Sequence, residues 1–376
     1  MSRLSDSSQL VAGLPPDNGY ELVTGLRPDS GAEVAAGLQP GSGPLLDRRG
    51  RALRDLRVSV TDRCNFRCGY CMPRAHFGKD HAFLPRSELL SFEEITRFAG
   101  VAAGLGVTKV RLTGGEPLLR SELHRLVAEL AQVPNLEIAL TTNGSLLSRH
   151  AGALARAGLS RLTVSLDALD PAAFLRMTDA TFTPSDVLAG IAAAEAAGFS
   201  RLKINTVVRR GVNDGEISSL ARHFRGTGHV LRFIEYMDVG STNGWSMRDV
   251  VTAREIVERI DREFPLEPLD TSSTGEVARR YRYRDGAGEL GVITSVTQPF
   301  CGSCTRLRLS SEGRLFTCLF AVQGTDVKGA LRAGSSDAQL AELVSSLWKQ
   351  RDDRYSEVRD DGRRRLPRIE MSYIGG

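Results

Sequence analysis

Apolar and polar positions form two alternating patterns along most of the chain. Short runs rich in Val, Ile and Leu, typical of strands buried on both faces, recur after residue 54. Between them lie amphipathic stretches typical of helices, and Gly106, Gly158 and Gly198 follow three of them as helix-terminating residues. The predicted strands are Leu56–Thr61, Lys109–Thr113, Ile138–Thr142, Arg161–Leu166, Leu202–Val208 and Val230–Tyr236, and the predicted helices cover 92–105, 121–131, 148–157, 185–197 and 214–225.

This alternation of strand and helix predicts an α/β fold with a parallel sheet and right-handed crossovers. Six units are too few for a closed eight-fold barrel, so the pattern predicts a partial TIM-like barrel or an open doubly wound sheet. In both architectures the functional groups lie at the C-terminal ends of the strands. Polar residues follow five of the predicted strands there: Thr61, Gly114 to Pro117, Thr141 to Gly144, Ser165 to Asp167, and Glu235 to Asp238.

Two segments depart from the alternating pattern. The first 45 residues carry a twelve-residue repeat that starts at Gly13, Gly25 and Gly37, and their low aromatic content predicts a disordered extension. After residue 260 the alternation weakens, and residues 277–297 are typical of a hairpin. We therefore predict an extension over 1–45, a partial barrel or open sheet over 46–260 and a smaller α+β domain over 261–376.

Composition limits the class of protein. A chain of 376 residues with 41% hydrophobic content is typical of a soluble globular protein. Its N-terminus is polar and it has no apolar run of about 18 residues, so we expect no membrane insertion and a cytoplasmic location. The net charge of +4 is spread along the chain, which argues against nucleic-acid binding and leaves room for an anionic small substrate.

The six cysteines form two triplets, and neither triplet has a fourth cysteine. In a reducing cytosol such cysteines indicate metal binding or catalysis rather than disulfides. Three thiolates leave one iron of a [4Fe-4S] cluster without a protein ligand, so that iron can bind a small molecule. The spacing therefore predicts two [4Fe-4S] clusters, held by Cys64, Cys68 and Cys71 and by Cys301, Cys304 and Cys318.

Structural metal sites are the alternative reading of both triplets. A zinc site needs a fourth ligand, which His76 or His81 could supply at the first triplet. No histidine follows His229, so the alternative at the second triplet is a structural cluster completed by a carboxylate. Arg306 and Arg308 fall on one face of a short predicted strand, where paired guanidiniums would suit a polyanionic substrate. Solvated surface arginines are the ordinary alternative there.

The first cysteine loop resembles a known signature. TDRCNFRCGYCMP is similar to the motif of the radical S-adenosylmethionine (SAM) enzymes, whose open iron chelates the amino and carboxylate groups of SAM. The Gly-Gly-Glu-Pro stretch at 114–117 resembles the motif of that superfamily that holds the methionine amino group. Without the family, Met237 would be a packing residue and Ser165 a turn hydroxyl. The resemblance implies SAM contacts from Tyr70, Gly115, Glu116, Ser165 and Met237.

Residues 50–376 resemble the GTP 3′,8-cyclase family of molybdenum cofactor biosynthesis. The matching motifs, in order, are DLRVSVTDRCNFRCGYCMP, KVRLTGGEPLLR, LTTNG, VSLDALD, RFIEYMDVG, CGSCTRLRLS, RDDRYS and YIGG, and only the repeated extension departs from the pattern. The resemblance implies catalytic roles for Arg306 and Arg308 and a mobile tail, Gly375 and Gly376, that reaches into the site. It implies GTP contacts from Arg57, Lys109, Arg111, Thr141, Lys203, Arg232, Arg306, Leu307 and Arg308.

The same resemblance implies a reaction and its partners. An electron that reaches the first cluster splits SAM into methionine and a 5′-deoxyadenosyl radical, which takes the 3′ hydrogen of GTP. The ribose radical closes onto C8 of a guanine held by the second cluster, and reduction and protonation complete the product. The expected partners are a flavodoxin-type electron donor and the downstream cyclic pyranopterin monophosphate synthase, and a homodimer is a compatible assembly. The alternatives are a peptide-modifying radical SAM enzyme, which would usually carry more late cysteines, and a non-enzymatic metal-binding module.

Overall fold

Twelve strands of the described residues form one mixed sheet. The computed structural model describes residues 43–270, 275–359 and 368–375. Six neighbouring parallel strands confirm the six predicted ones, with small shifts at their ends. These strands are β1 (Asp55–Ser59), β2 (Lys109–Thr113), β3 (Glu137–Thr142), β4 (Arg161–Ser165), β5 (Lys203–Val208) and β6 (Val230–Glu235).

Later residues extend the sheet at both of its edges. The additional strands are β7 (Leu266–Leu269), β8 (Ala278–Tyr283), β9 (Glu289–Ile293), β10 (Arg306–Leu309), β11 (Arg314–Phe316) and β12 (Thr325–Asp326). The predicted hairpin is confirmed as β8 and β9, and β9 pairs parallel with β6. At the other edge β10 pairs parallel with β1, and β11 and β12 follow antiparallel. The strands after residue 260 thus share one sheet with the central strands.

Helices connect and flank the strands. They are α1 (Phe92–Gly104), α2 (Leu123–Leu130), α3 (Leu147–Arg156), α4 (Pro171–Thr178), α5 (Pro184–Ala196), α6 (Ile217–Phe224), α7 (Ala253–Asp261), α8 (Lys328–Arg332), α9 (Asp337–Gln350) and α10 (Met371–Ile374). The five predicted helices are confirmed, whereas α4 and α7 are missing from the prediction. Both helices are short, and the sequence marks them only by their N-terminal capping residues. Before α4, the Asp170 carboxylate accepts a hydrogen bond from the Ala173 N–H at 2.7 Å. Before α7, Thr252 forms a capping box with Glu255.

The core lies where apolar strand residues meet the helices. Leu56 and Val58 of β1 and Val110 and Leu112 of β2 are fully buried. Because side chains alternate along a strand, the intervening residues of β1 and β2 face the other side of the sheet, where Arg57 lies. Each such buried Leu or Val contributes about 1.5–3 kcal/mol to folding. The alternation therefore separates an apolar face from a cationic one.

The predicted extension over 1–45 falls almost wholly outside the described residues. Of the predicted segment only residues 43–45 are described, and Leu45 packs against the core. No helix within the described residues is both long and apolar enough to cross a membrane.

Candidate active site

The first cysteine triplet lies in the loop that follows β1. The N–H of Cys71 donates to the Cys68 carbonyl at 3.0 Å and closes a turn between them. The Arg67 guanidinium donates to the Cys64 carbonyl at 2.7 Å and fixes the start of the loop. Burial, the Asp167 charge and the other two thiols raise the pKa of Cys68 well above its ordinary value. The loop therefore brings three half-buried thiols together.

The Gly-Gly-Glu stretch after β2 packs directly against the cysteine loop. The N–H of Gly115 donates to the Thr61 carbonyl and that of Glu116 to the Arg63 carbonyl, each at 2.8 Å. A Cβ on Gly115 would overlap the Arg63 carbonyl, so this approach requires glycine. Burial raises the pKa of the Glu116 carboxyl to about 7, although it accepts from the Thr142 hydroxyl at 2.6 Å. A cationic amine beside this carboxyl would stabilise its charged form.

The other residues predicted to contact SAM surround the same loop. The Tyr70 hydroxyl donates to the Asp167 carboxylate at 2.8 Å. Burial raises the pKa of Asp167 to about 6, although the Val207 N–H also donates to it at 2.9 Å. Ser165 ends β4, Met237 follows β6, and both line the cavity beside Tyr70. The fold thus brings together Tyr70, Gly115, Glu116, Ser165 and Met237.

The second triplet is assembled around β10. Cys301 and Cys304 share a tight turn in which the Cys304 N–H donates to the Cys301 carbonyl at 3.2 Å. Strand β10 runs away from Cys304, and antiparallel β11 runs back, which returns Cys318 to the same side. Burial raises the pKa of Cys318 to about 12. Burial alone would also raise the pKa of Cys304, but the positive charges of Arg306 and Arg351 outweigh burial and lower this pKa to about 6.

One cavity of about 320 Å³ is lined by all six cysteines, which are free thiols. The first triplet lies just after the C-terminal end of β1. The second triplet lies near the N-terminal end of β1, because Arg306, two residues after Cys304, pairs with Asp55, the first residue of that strand. Asp55 and Ser59 are four residue steps apart, so at about 3.3 Å per step the two ends of β1 are separated by roughly 13 Å. The two triplets therefore lie at opposite ends of the same space.

Cationic side chains line the stretch between the triplets. In the sheet register Arg57 of β1 pairs with Arg111 of β2 and with Arg308 of β10. Arg57 is half-buried, and the surface that it retains lines the cavity. Burial and the like charges of Arg308, Arg306 and Arg111 hold the pKa of Arg57 well below its usual value. Burial and Arg111 lower that of Arg232 to about 9. A polyanion between these groups would relieve their repulsion.

A second cavity, of about 1020 Å³, lies at the amino ends of the strands. Lys109 and Lys203, which begin β2 and β5, line it. The Lys109 ammonium is paired with Asp55 at 3.7 Å and Glu137 at 3.4 Å. Burial, and then the charge of Arg232, lower the pKa of Lys203 to about 8. The two cavities share Arg57, Arg111, Arg232 and Arg306.

Two of the residues predicted to contact GTP differ from the cations. The Thr141 hydroxyl lines the first cavity and accepts a hydrogen bond from Arg111 at 3.1 Å. Leu307 has its side chain fully buried in the core, on the face of β10 opposite to Arg306 and Arg308. Only the backbone of Leu307 is therefore available to a ligand in the cavity.

The C-terminal residues enter the same space. Met371 and Ser372 line the first cavity, and the Gly375 carbonyl accepts a hydrogen bond from the Arg308 guanidinium. Gly375 has a φ of +72°, and a Cβ there would overlap the Thr113 hydroxyl, so both conformation and space require glycine. Gly376 lies outside the described residues.

Sequence reasoning missed two groups at the site. The first group is Asp167, which the strand-end pattern places at the site but to which it assigns no role. In the structure the Asp167 carboxylate accepts a hydrogen bond from the Tyr70 hydroxyl and fixes that side chain. Arg51 and Arg351 donate to the backbone of the second triplet, Asp47 pairs with both of them, and no local motif marks the three. Asp47 and Arg351 lie 304 residues apart, so only the folded chain reveals their pairing.

Each cysteine triplet offers three thiols to a bound group. Within the described parts of the chain, no group of three or more His, Cys, Asp and Glu side chains is placed to hold one metal ion. In a [4Fe-4S] cluster each thiolate binds a different iron, so the sulfurs stand farther apart than around a zinc ion. Cys64 and Cys71 still lie near enough to raise the pKa of Cys68, and Cys304 that of Cys318. Both triplets thus suit a cluster-sized group.

Two family models match the chain in succession. The Radical SAM superfamily model matches residues 58–224, and the Molybdenum Cofactor Synthesis C model matches residues 229–357. The first contains the Cys64 to Cys71 triplet, and the second contains Cys301, Cys304 and Cys318. Each triplet therefore falls in its own family region.

Curated relatives are similar over nearly their whole length. A GTP 3′,8-cyclase from Acidothermus cellulolyticus is 55% identical, over 89% of this chain and 99% of that protein. One from Xanthomonas axonopodis pv. citri is 54% identical over the same shares. One from Staphylococcus saprophyticus is 48% identical, over 88% of this chain and 99% of that protein.

Solved structures share the fold at low identity. Streptococcus suis SuiB bound to S-adenosylmethionine superposes with a TM-score of 0.58 at 14% identity, over 82% of this chain and 68% of that chain. The same protein bound to its precursor peptide SuiA gives 0.57, also at 14% identity, over 83% and 68%. This likeness concerns the fold alone. Together with the superfamily match it confirms a radical SAM partial barrel, whose sheet is not closed among the described strands.

Proposed function

We propose that this chain, which belongs to the GTP 3′,8-cyclase family of radical SAM enzymes, cyclises GTP to 3′,8-cyclo-7,8-dihydroguanosine triphosphate in molybdenum cofactor biosynthesis. Relatives at 54–55% identity carry the cyclase name, and both family models match in order. The observation that carries the assignment to GTP is the row of cations around Arg57, between the two cysteine triplets. The negative charge of a nucleoside triphosphate would balance the positive charge of this row.

The first triplet and its neighbours support SAM binding. When bound, a [4Fe-4S] cluster at Cys64, Cys68 and Cys71 together with SAM supplies a carbon radical that side chains cannot generate. Glu116 would accept hydrogen bonds from the SAM amino group, which would draw its pKa down from about 7. Tyr70, fixed by Asp167, would face the adenine. Ser165 and Met237 would complete the pocket.

The triphosphate would lie among the cations. Each guanidinium offers two parallel N–H donors to phosphate oxygens, which fixes orientation as well as charge. Arg308 already donates to the Gly375 carbonyl, so GTP would share or displace that contact. The proposed GTP contacts are Arg57, Lys109, Arg111, Thr141, Lys203, Arg232, Arg306, Arg308 and the backbone of Leu307.

We assign a second [4Fe-4S] cluster to Cys301, Cys304 and Cys318, whose open iron would bind a nitrogen or oxygen of the guanine. Arg306, two residues after Cys304, and Arg308 would then act as catalytic residues that hold the ribose and triphosphate against the cavity wall. Anchoring both ends of GTP restricts its conformers and brings C8 near C3′, where orientation contributes much of the rate.

The chain would also protect the reaction from side products. Met371 and Ser372 narrow the first cavity beside the cysteines, which limits the water that shares the space with a bound nucleotide. Arginine and lysine neutralise phosphate charge without offering a readily abstracted hydrogen atom. The proposed partners are a flavodoxin-type electron donor and the downstream cyclic pyranopterin monophosphate synthase, in the cytoplasm, and a homodimer is a compatible assembly.

Anaerobic reconstitution with iron and sulfide tests this function. The expected result is about eight irons per chain, and 5′-deoxyadenosine formed only when GTP is present, in amounts that match the cyclised nucleotide. A Cys68→Ser variant is the control for background SAM cleavage. About four irons with full turnover would contradict the second cluster. Turnover of a peptide in place of GTP would favour the peptide-modifying alternative.

A further inference from the structure

A buried ionic network joins residues 47–51 to residue 351. The side chains of Asp47, Arg51 and Arg351 are 0%, 2% and 1% exposed. One carboxylate oxygen of Asp47 accepts from Arg51 Nε at 2.6 Å and from Arg351 Nη1 at 3.1 Å. Charges this deeply buried are costly unless they are paired, so loss of Asp47 leaves two guanidiniums uncompensated. The three side chains therefore form one unit, which we call the Asp47 network.

Both arginines of the Asp47 network donate to the backbone of the second cysteine triplet. Arg51 Nη1 donates to the Cys301 carbonyl at 2.8 Å, and Arg351 Nη1 donates to the Cys304 carbonyl at 2.8 Å. Arg351 Nε donates to the carbonyl of Thr317, the residue before Cys318, at 3.0 Å. The network thus contacts the backbone at or next to every cysteine of this triplet.

Neighbouring groups hold the Asp47 network in place. The Trp348 indole is fully buried, its N–H donates to the Arg51 carbonyl at 3.1 Å, and the Arg351 guanidinium lies 4.5 Å from its ring centroid. The second carboxylate oxygen of Asp47 accepts from the N–H groups of Arg49 and Arg51, each at 2.9 Å. Side chains fixed in this way can hold a site to a defined geometry.

One donor of the network is unused. Arg51 Nη2 is buried and has no hydrogen-bond partner among the described residues. Buried donors normally have partners, and the sulfurs of a cluster accept N–H hydrogen bonds that tune its potential. The other amino group of the same guanidinium donates to the Cys301 carbonyl, so the unused donor lies beside the backbone of this triplet, outside the residues that line the cavity of the cysteines.

We infer that the Asp47 network is a positioning unit that sets the second cysteine triplet for its cluster and leaves the first triplet untouched. Asp47 and Arg51 lie outside the residues matched by either family model. The inference rests on the proposed function only for the nature of the bound group. The positioning itself is a property of the chain and is measurable without metal, SAM or GTP.

Thiol alkylation of the metal-free full-length chain tests the positioning. In Asp47→Asn we expect Cys301, Cys304 and Cys318 to react several-fold faster than in the parent chain, by peptide mass spectrometry, while Cys64, Cys68 and Cys71 stay unchanged. Asp337→Asn, which breaks the exposed ion pair with Arg97, is the matched control and should change neither triplet. Unchanged rates at the second triplet, or an equal rise at both, would overturn the inference.

A second variant keeps the charge and removes the unused donor. Arg51→Lys, reconstituted anaerobically, should bind SAM like the parent but show a shifted reduction potential and electron paramagnetic resonance spectrum of the second cluster. An identical potential and spectrum would overturn the role of Arg51. The alkylation result does not depend on GTP. If the alkylation rates of Asp47→Asn and the parent chain differ as expected, but the reconstituted parent chain does not turn over GTP, the proposed function is refuted and the positioning unit stands.

Discussion

The first and second cysteine triplets differ in how the chain brings their thiols together. The first occupies the single loop 64–71, held by hydrogen bonds within the loop and by Gly115 and Glu116. The second combines residues 301–304 with Cys318, and side chains from residues 47–51 and 351 hold it. The cysteines of the first triplet are therefore close in sequence, although the N–H groups of Arg67 and Gly69 also donate to the carbonyls of Thr178 and Met177. The second triplet depends on contacts that join residues up to 304 positions apart.

The electrostatic surroundings of the two triplets also differ. Near the first lie the carboxyl groups of Glu116 and Asp167, whose pKa values burial raises to about 7 and about 6. At the second, Arg306 and Arg351 outweigh burial and lower the pKa of Cys304 to about 6. Carboxylates suit the positive sulfonium and amine of SAM, and guanidiniums suit a triphosphate. The two triplets thus lie among side chains of opposite charge, which suits the different ligands proposed for them.

Exchanging one cysteine in each triplet should have the largest effect. Cys301→Ser is expected to abolish GTP cyclisation and retain SAM binding, because only the second cluster loses a ligand. Cys68→Ser should abolish SAM binding and retain GTP binding. Equilibrium binding of labelled SAM and GTP, with iron analysis, separates the two. Full cyclase activity in a Cys301→Ser chain would contradict the proposal that the second triplet serves GTP.

Glycine substitutions compare the packing of the two loops. Gly115→Ala places a Cβ against the Arg63 carbonyl, and we expect SAM affinity to fall about tenfold or more, since overpacking costs about 1–3 kcal/mol. Gly302→Ala is the matched control, because its Cβ would lie 3.8 Å from Glu357, an ordinary contact. SAM titration checks both variants. Equal losses from the two would show that backbone approach is not what distinguishes the first loop.

Removing one cation from the row should raise the thermal stability of the ligand-free chain and weaken GTP binding. Arg57→Met relieves repulsion by Arg308, Arg306 and Arg111, so we expect the ligand-free Tm to rise by a few °C, a shift typical of about 1 kcal/mol. The KM for GTP should rise about tenfold, as for loss of a charge-assisted contact. Thermal melts and steady-state kinetics measure both. Arg125→Met, at an exposed ion pair, should change neither.

The pH dependence of GTP binding should report on Lys203. Its pKa of about 8, lowered by burial and by Arg232, would rise when a triphosphate binds, so binding takes up a proton above that pH. Affinity should therefore be nearly flat from about pH 7 to pH 8 and fall by at most about tenfold per pH unit from there to about pH 9, where Arg232 begins to titrate as well. Lys203→Gln should flatten the profile. Lys109→Gln, whose parent side chain is already paired with Asp55 and Glu137, should retain it.

The smallest effect is expected from the N-terminal repeat. A chain that lacks residues 1–40 keeps Leu45, which packs against the core, and Asp47, so the core and the Asp47 network are retained. Iron content, SAM binding and cyclase activity should match the parent chain. A selective loss at the second triplet would mean that the repeat supports that region.

Much of the fold and the first half of the site follow from the sequence. The six parallel strands carry their pattern in apolar runs, and the first triplet is marked by the spacing of Cys64, Cys68 and Cys71. The placement of β10 beside β1 does not follow, because parallel pairing over 250 residues leaves no local mark. The short helices α4 and α7 lack the length for a clear period. Their caps were the available signal.

Residues of the second half of the site were harder to predict for the same reason. Arg306 and Arg308 are marked by alternation along β10, and that face is confirmed, with Leu307 in the core between them. Asp47 and Arg51 precede the first strand in an unremarkable stretch, and their role depends on Arg351. A charge network that closes through tertiary contacts leaves only isolated residues in the sequence.

The central claim is that the second triplet binds a cluster that takes GTP, and one measurement tests it most directly. A chain with Cys64, Cys68 and Cys71 all changed to serine keeps only the second triplet. After anaerobic reconstitution and reduction it should hold about four irons. Nitrogen-15 labelled GTP should alter its electron nuclear double resonance spectrum, and SAM should not. A spectrum unaffected by GTP, or a chain that binds no iron, would contradict the account.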